Sequence, residues 1–343
     1  MNSKYFLGAN SSAGFFSLYD NFCRRGSDYL CIIKGGPGTG KSGFMRRIGA
    51  EAEKRGYDVE YVLCSGDPAS LDGVYIPALH RGWMDGTAPH AAEPPRFGVD
   101  GEYIDLSRFC AVPLEKQDAS AARELYAAYK ARYRAAYAFL NALASVKKTY
   151  ETAAPDESDK RAIEKRAEAV FPKRRRGGSD GRAEYRFLHC VCGDGEIRLA
   201  EELEKESKAY VLTGCAAFTD YALKHISHEA ARRGFDVINC LSPHEPERFE
   251  AVIIPEADTA VCDEGYALSA AKRIELDDLN SRKQPAESLF NCGQIENQLG
   301  AAALASLGRA KKLHDELEEI YKKAMDFAAL TAFTDAYIAE TFK

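Results

Sequence analysis

A chain of 343 residues, 45% hydrophobic and 29% charged, is long enough for about two globular domains and has the composition of neither a disordered nor a coiled-coil protein. Its 46 basic and 52 acidic residues leave a formal charge of −6, so there is no global electrostatic case for wrapping nucleic acid or an anionic membrane. No run approaches the roughly 18 uninterrupted apolar residues of a spanning helix, the first residues lack a signal-peptide core, and the 10 cysteines include no CxxC, which together predict a cytoplasmic protein with buried free thiols.

In chain order, the first informative element is the apolar run Asp28 to Lys34, which reads as a buried strand. It is followed at once by Gly35, Gly36, Pro37, Gly38, Thr39, Gly40, Lys41 and Ser42, a complete GxxxxGK[ST] string. Phe44, Met45, Ile48 and Ala52 then recur at helical spacing and Gly56 supplies a stop, so the string sits between a strand and a helix. That context suits phosphate: glycines let consecutive backbone N–H groups curl around anionic oxygens, and the helix N-terminus adds its positive dipole end. Lys41 is the candidate cation for the β- and γ-phosphates, and Ser42 the candidate hydroxyl for Mg²⁺. The metal also requires a carboxylate at a neighbouring strand end, for which Asp67 and Asp85 compete. No NKxD guanine-reading string is present, which leans the nucleotide toward ATP.

The chain contains a second copy of this region. Residues 34 to 85 align with 212 to 263 without gaps at an offset of 178, with 14 identities over 52 positions. Flanking matches, such as Phe6 with Phe187 and Leu140 with Leu304, extend the repeat over most of the chain. Asp85 recurs as Asp263 whereas Asp67 is matched by Glu245, which favours Asp85 as the metal carboxylate. The breaker-rich basic stretch at 173–182 reads as a linker between domains spanning 1–172 and 183–343; Lys173 to Arg176 are a solvated connector before they are a nucleic-acid contact. The two loops differ. Opposite Gly35 to Ser42 stand Thr213 to Asp220, in which Lys41 has become Thr219, Ser42 has become Asp220 and Gly40 has become Phe218, so the second loop is expected to bind no nucleotide.

Other candidates weigh less. His189 with Cys190 and Cys192 lacks the second ligand pair of a zinc ribbon, and His225 and His228 read as a solvated helix surface. Each copy ends in a long helical segment; Tyr126, Tyr129, Tyr133 and Tyr137 form a stripe that reads as packing rather than as a base-stacking platform.

The Gly14 to Asp20 string, the GGPGTGKS loop, Leu71 to Pro77, Asp85 to His90 and His314 to Tyr321 together resemble an uncharacterised bacterial family of duplicated P-loop ATPases. The resemblance covers nearly the whole chain and implies two tandem α/β P-loop NTPase domains, mainly parallel sheets flanked by helices, that bind ATP and Mg²⁺. Members carry an intact GTGKS and a D-[GS]-T-A-P-H string in both halves; here the second half departs from both, so only first-half residues carry over. His90, five residues beyond Asp85, is then either a γ-phosphate sensor or proton shuttle, or a turn histidine without chemistry. The resulting expectation is a Mg-ATPase with catalysis in the first domain, coupled to a conformational change within an intramolecular pseudo-dimer. The alternatives are a small-molecule or nucleotide kinase, and a non-catalytic nucleotide-sensing module whose partner is another protein.

Overall fold

The structure is a computed structural model that describes residues 2–23, 26–87, 93–94, 96–149, 154–171, 179–269, 271–279 and 290–343. Each half builds one six-stranded sheet. In the first, the spatial order is Ser3–Phe6, Glu60–Leu63, Leu71–Ile76, Arg81–Asp85, Tyr29–Lys34 and Gly101–Asp105. The second repeats this order with Ala183–Arg186, Val237–Leu241, Phe249–Ile254, Thr259–Asp263, Lys208–Thr213 and Lys272–Glu275. In both, three neighbouring pairs are parallel and the two pairs made by Leu71–Ile76 or Phe249–Ile254 are antiparallel. The α/β expectation therefore holds with mixed, mostly parallel sheets. The antiparallel member arises because the chain reverses at tight 3₁₀ turns, Pro77–Leu79 and Pro255–Ala257, each closed by a left-handed residue, His80 or Asp258.

Leu30, Cys31, Ile32 and Ile33 are all buried, as a central strand covered on both faces requires. The helix Lys41–Lys54 buries Phe44, Met45, Ile48 and Ala52 along one stripe, and the chain leaves it through Gly56 at φ +80°. The halves meet symmetrically. Phe6 and Phe187, equivalent in the repeat, exchange both backbone hydrogen bonds at 2.9 Å. The two long helices Lys116–Lys148 and Phe290–Lys323 lie side by side in antiparallel fashion, since Ala122 meets Leu317 and Ile320 while Leu140 meets Ala303 and Leu307. The tyrosine stripe lies in this seam, its rings 5.0 to 5.8 Å apart.

The last helix of each copy packs on the other copy. Glu157–Ala167 buries Ile163 and Ala167 among Phe218, Leu223 and Ile226 of the second half, and Tyr221 donates a hydrogen bond to Glu164 at 2.6 Å. Reciprocally, Phe327–Thr341 packs on the first half, with Phe333 stacked on Phe44 and the Tyr337 hydroxyl accepting from the Trp83 indole at 2.9 Å. Packing thus crosses the boundary that composition draws at 173–182: residues 157–170 belong to the second core and 327–342 to the first. A sequence repeat delimits duplicated units, not the partners their helices find. Among the described residues, no helix is long and apolar enough to cross a membrane.

Candidate functional site

The parallel register of Tyr29–Lys34 with Arg81–Asp85 and Gly101–Asp105 brings three strand ends out together, pairing Ile33 with Asp85 and Lys34 with Asp105. The Gly35-to-Gly40 loop leaves from this edge, where ligands of open α/β sheets bind. Gly38 and Gly40 have φ of +70° and +87°, conformations an L side chain resists, so the turn into the helix depends on them. Among the described residues no side chain caps the helix that begins at Lys41, and its first amides therefore keep their donor capacity for an anion.

Lys41 is nearly buried. Its ammonium donates to the carbonyls of Gly35 at 3.0 Å and Gly36 at 2.7 Å, and lies 3.7 Å from Asp85 Oδ2. Asp85 also accepts from the Thr87 amide and hydroxyl at 2.8 and 2.6 Å, which orients it. Thr39 closes the loop by donating to the Gly36 carbonyl at 2.8 Å, and Ser42 Oγ accepts from the Leu71 amide at 3.0 Å. Pro37 stays within the loop. Asp67 is turned elsewhere: it accepts from Ser70 at 2.9 Å and sits 3.7 Å from Lys311 on the long C-terminal helix. The structure brings Lys41, Ser42 and Asp85 to one strand edge, while His90 and Lys173 to Arg176 lie outside the described residues.

Three groups near this loop were not legible in the sequence. Asp72 is buried beside Tyr19, whose hydroxyl donates to it at 2.6 Å; it is a further carboxylate on the strand next to that of Asp85. Lys34, the residue before the loop, donates to the Gly86 carbonyl at 3.1 Å. The third is a roof. A Cβ on Gly38 would lie 2.7 Å from the Glu318 carbonyl oxygen, one on Gly36 3.4 Å from the Tyr321 ring, and one on Gly40 2.8 Å from Leu330. The C-terminal helices of the second copy are thus in direct contact with the glycine loop of the first. Gly38→Ala is accordingly expected to destabilise the protein by about 1–3 kcal/mol, from the positive φ and the backbone clash together, read as a shift in urea midpoint.

The second loop has been rebuilt. Its helix, Ala216–Arg232, starts three positions earlier relative to the repeat than Lys41–Lys54, because Ala216 and Phe218 replace Gly38 and Gly40 and accept helical φ. The turn that Gly38 and Gly40 make in the first half is here wound into helix, and Phe218 is buried in the core. Asp220 Oδ1 takes the Phe249 amide at 2.9 Å, the same bond that Ser42 makes to Leu71, and Lys224 holds its other oxygen at 2.7 Å. Arg248 lies 3.7 Å from Asp263, supplying the cation that Lys41 offers Asp85. Burial, with help from Glu250, pushes the Asp263 carboxyl up to about 6. An open cavity of ≈ 710 Å³, lined by Cys215, Ala216, Asp220, Lys224, Glu245 and Arg248 among others, faces this rebuilt loop.

His189 does not share a face with Cys190 and Cys192: strand alternation sends the cysteines into the main core and His189 to the other side. His225 is half-buried, its ring parallel to Tyr221, and His228 is exposed. Comparison of the chain with family models, curated proteins and solved structures gave no significant match.

Proposed function

We propose that the protein is a Mg-ATP-dependent P-loop ATPase with a single active site in its first half. The observation that carries this reading is the meeting of an uncapped helix N-terminus, a positive-φ glycine loop, the Lys41 ammonium and the Asp85 carboxylate at one strand edge. The residues fit the ligand. Loop amides and Lys41 would hold the β- and γ-phosphates, with Lys41 exchanging its two carbonyl partners for phosphate oxygens; Ser42 and Asp85 would hold Mg²⁺. When bound, the ion neutralises charge on the phosphate oxygens. Contact between the loop and residues 318–330 supports coupling to a conformational change, since any rearrangement of Gly36, Gly38 or Gly40 is felt by Glu318, Tyr321 and Leu330 of the other copy.

Phosphate release from Mg-ATP without an added acceptor is the discriminating measurement. Turnover without acceptor supports the ATPase, turnover only with an acceptor replaces it by a kinase, and tight binding without turnover replaces it by a sensing module. Asp85→Asn is expected to lower turnover by one to two orders of magnitude, about 1.4–2.7 kcal/mol of barrier, while Asp67→Asn changes it by less than about threefold. The reverse ranking would transfer the metal to Asp67.

A further inference from the structure

The rebuilt second half contains a side-chain cluster that the nucleotide reading does not use. His189 is fully buried on the hairpin strand His189–Cys192, and its Nδ1 lies 3.1 Å from the buried Glu250 carboxylate. Its other nitrogen, Nε2, is also sealed from solvent and has no hydrogen-bond partner among the described residues; it sits 3.3 Å from Glu196 Oε2 without the alignment of a hydrogen bond. Glu196 comes from the paired strand Gly195–Arg198, opposite Val191 and hence on the same face as His189. Its second oxygen meets His244 Nε2 at 2.9 Å. His244 in turn is held by the first half, since Ser12 Oγ donates to its carbonyl at 3.0 Å. Ligand atoms from His189, Glu196 and His244 all lie within 4.8 Å of one another.

We infer that His189 Nε2, His244 Nε2 and a Glu196 oxygen form a binding site for a zinc-like divalent ion, with Glu250 as the outer carboxylate that orients His189. Two imidazoles and a carboxylate are a donor set suited to Zn²⁺ rather than to Mg²⁺, which prefers oxygen. Bonds of about 2.1 Å imply tetrahedral edges of roughly 3.4 Å; His189 Nε2 lies 3.3 Å from one Glu196 oxygen and His244 Nε2 2.9 Å from the other, so a small turn of the carboxylate brings one oxygen to both nitrogens. A ring nitrogen donating to a buried carboxylate is the usual support for a metal-bound histidine, because it sets the tautomer that leaves the far nitrogen free to ligate. That arrangement also explains why a buried nitrogen is left without a hydrogen bond, at a cost that folding alone does not recover. Three protein ligands leave a fourth position for water. Arg198, 3.2 Å from Glu196 and partly exposed, is the group that must yield its share of the carboxylate when the ion enters. The repeat supplies an internal contrast: the positions equivalent to His189, Glu196 and His244 are Gly8, Phe15 and Gly66, so the site belongs to the second half alone and is independent of the nucleotide reading.

The test uses the full-length protein, treated with a chelator and then titrated with Zn²⁺ in competition with a chromophoric chelator, and with Co²⁺ as a spectroscopic probe. The expected result is one tight Zn²⁺ per chain and intense visible Co²⁺ bands of low coordination number. His244→Ala and Glu196→Gln, both reaching solvent and so tolerable to the fold, should each weaken Zn²⁺ at least about a hundredfold, and Glu250→Gln by about 10–100-fold. Cys190→Ser with Cys192→Ser should leave affinity unchanged. Wild-type binding no tighter than that of His244→Ala and Glu196→Gln would overturn the inference and leave an ion-pair network; so would a loss of affinity in the cysteine variant alone.

Discussion

Lys41→Ala is expected to lower Mg-ATP affinity by roughly ten- to a hundredfold, the equivalent of about 1.5–3 kcal/mol for a charge-assisted contact to phosphate. In the free protein its ammonium satisfies the carbonyls of Gly35 and Gly36, both partly exposed, and faces Asp85, so folding should change by about 1–2 kcal/mol. Calorimetry with a slowly hydrolysed ATP analogue should return one site per chain for the wild type. The second loop is not expected to add another, because the equivalent positions form the first turn of Ala216–Arg232 and an aspartate stands where the hydroxyl was. Ser42→Ala is the less clean variant, since Ser42 Oγ also caps the Leu71 amide and its loss mixes a structural effect with a ligand effect. A stoichiometry of two, or unchanged affinity in Lys41→Ala, would show the reading of the two loops to be wrong.

Phe44→Ala is expected to cost about 3–5 kcal/mol, the range for deleting a buried aromatic ring. The ring is stacked on Phe333 at 6.1 Å between centroids and lies 5.3 Å from Tyr337, so the cavity opens where the exchanged helix Phe327–Thr341 sits on the first half. The loss should therefore have a local signature beyond the urea midpoint: trypsin cleavage after Lys322 and Lys323, which end Phe290–Lys323 just before that helix, should accelerate relative to cleavage elsewhere. An unchanged cleavage pattern would mean that the helix is held without Phe44, by contacts such as those of Tyr337 with Trp83 and Arg81 and of Phe333 with Phe109.

Much of the first site was legible because its signals are local in the chain. Gly38 and Gly40 mark positive φ, Phe44, Met45, Ile48 and Ala52 mark a helical stripe, and the repeat offset singled out Asp85 over Asp67 by way of Asp263. The degeneracy of the second loop was legible for the same reason, but its form was not. The sequence showed Asp220 only as the replacement of Ser42; the structure adds its role in the fold, bonded to the Phe249 amide and paired with Lys224. His189 was visible only as a neighbour of two cysteines; its partners Glu196, His244 and Glu250 are brought to it by a hairpin, a loop and a strand, up to 61 residues away.

Backbone preference and periodicity over a few turns of chain thus encode the duplication, the two strand–loop–helix units and the difference between their loops. Only the tertiary structure decided the rest: the exchange of terminal helices, the contact of Glu318 and Leu330 with the glycine loop, and the assembly of the histidine cluster. The physical reason lies in the symmetry of the repeat. Two similar apolar sheet faces offer each terminal helix nearly the same burial, so periodicity predicts that the helix will pack but not on which copy. That choice is made by the path of the long antiparallel helices, which carry each chain end across to the opposite half.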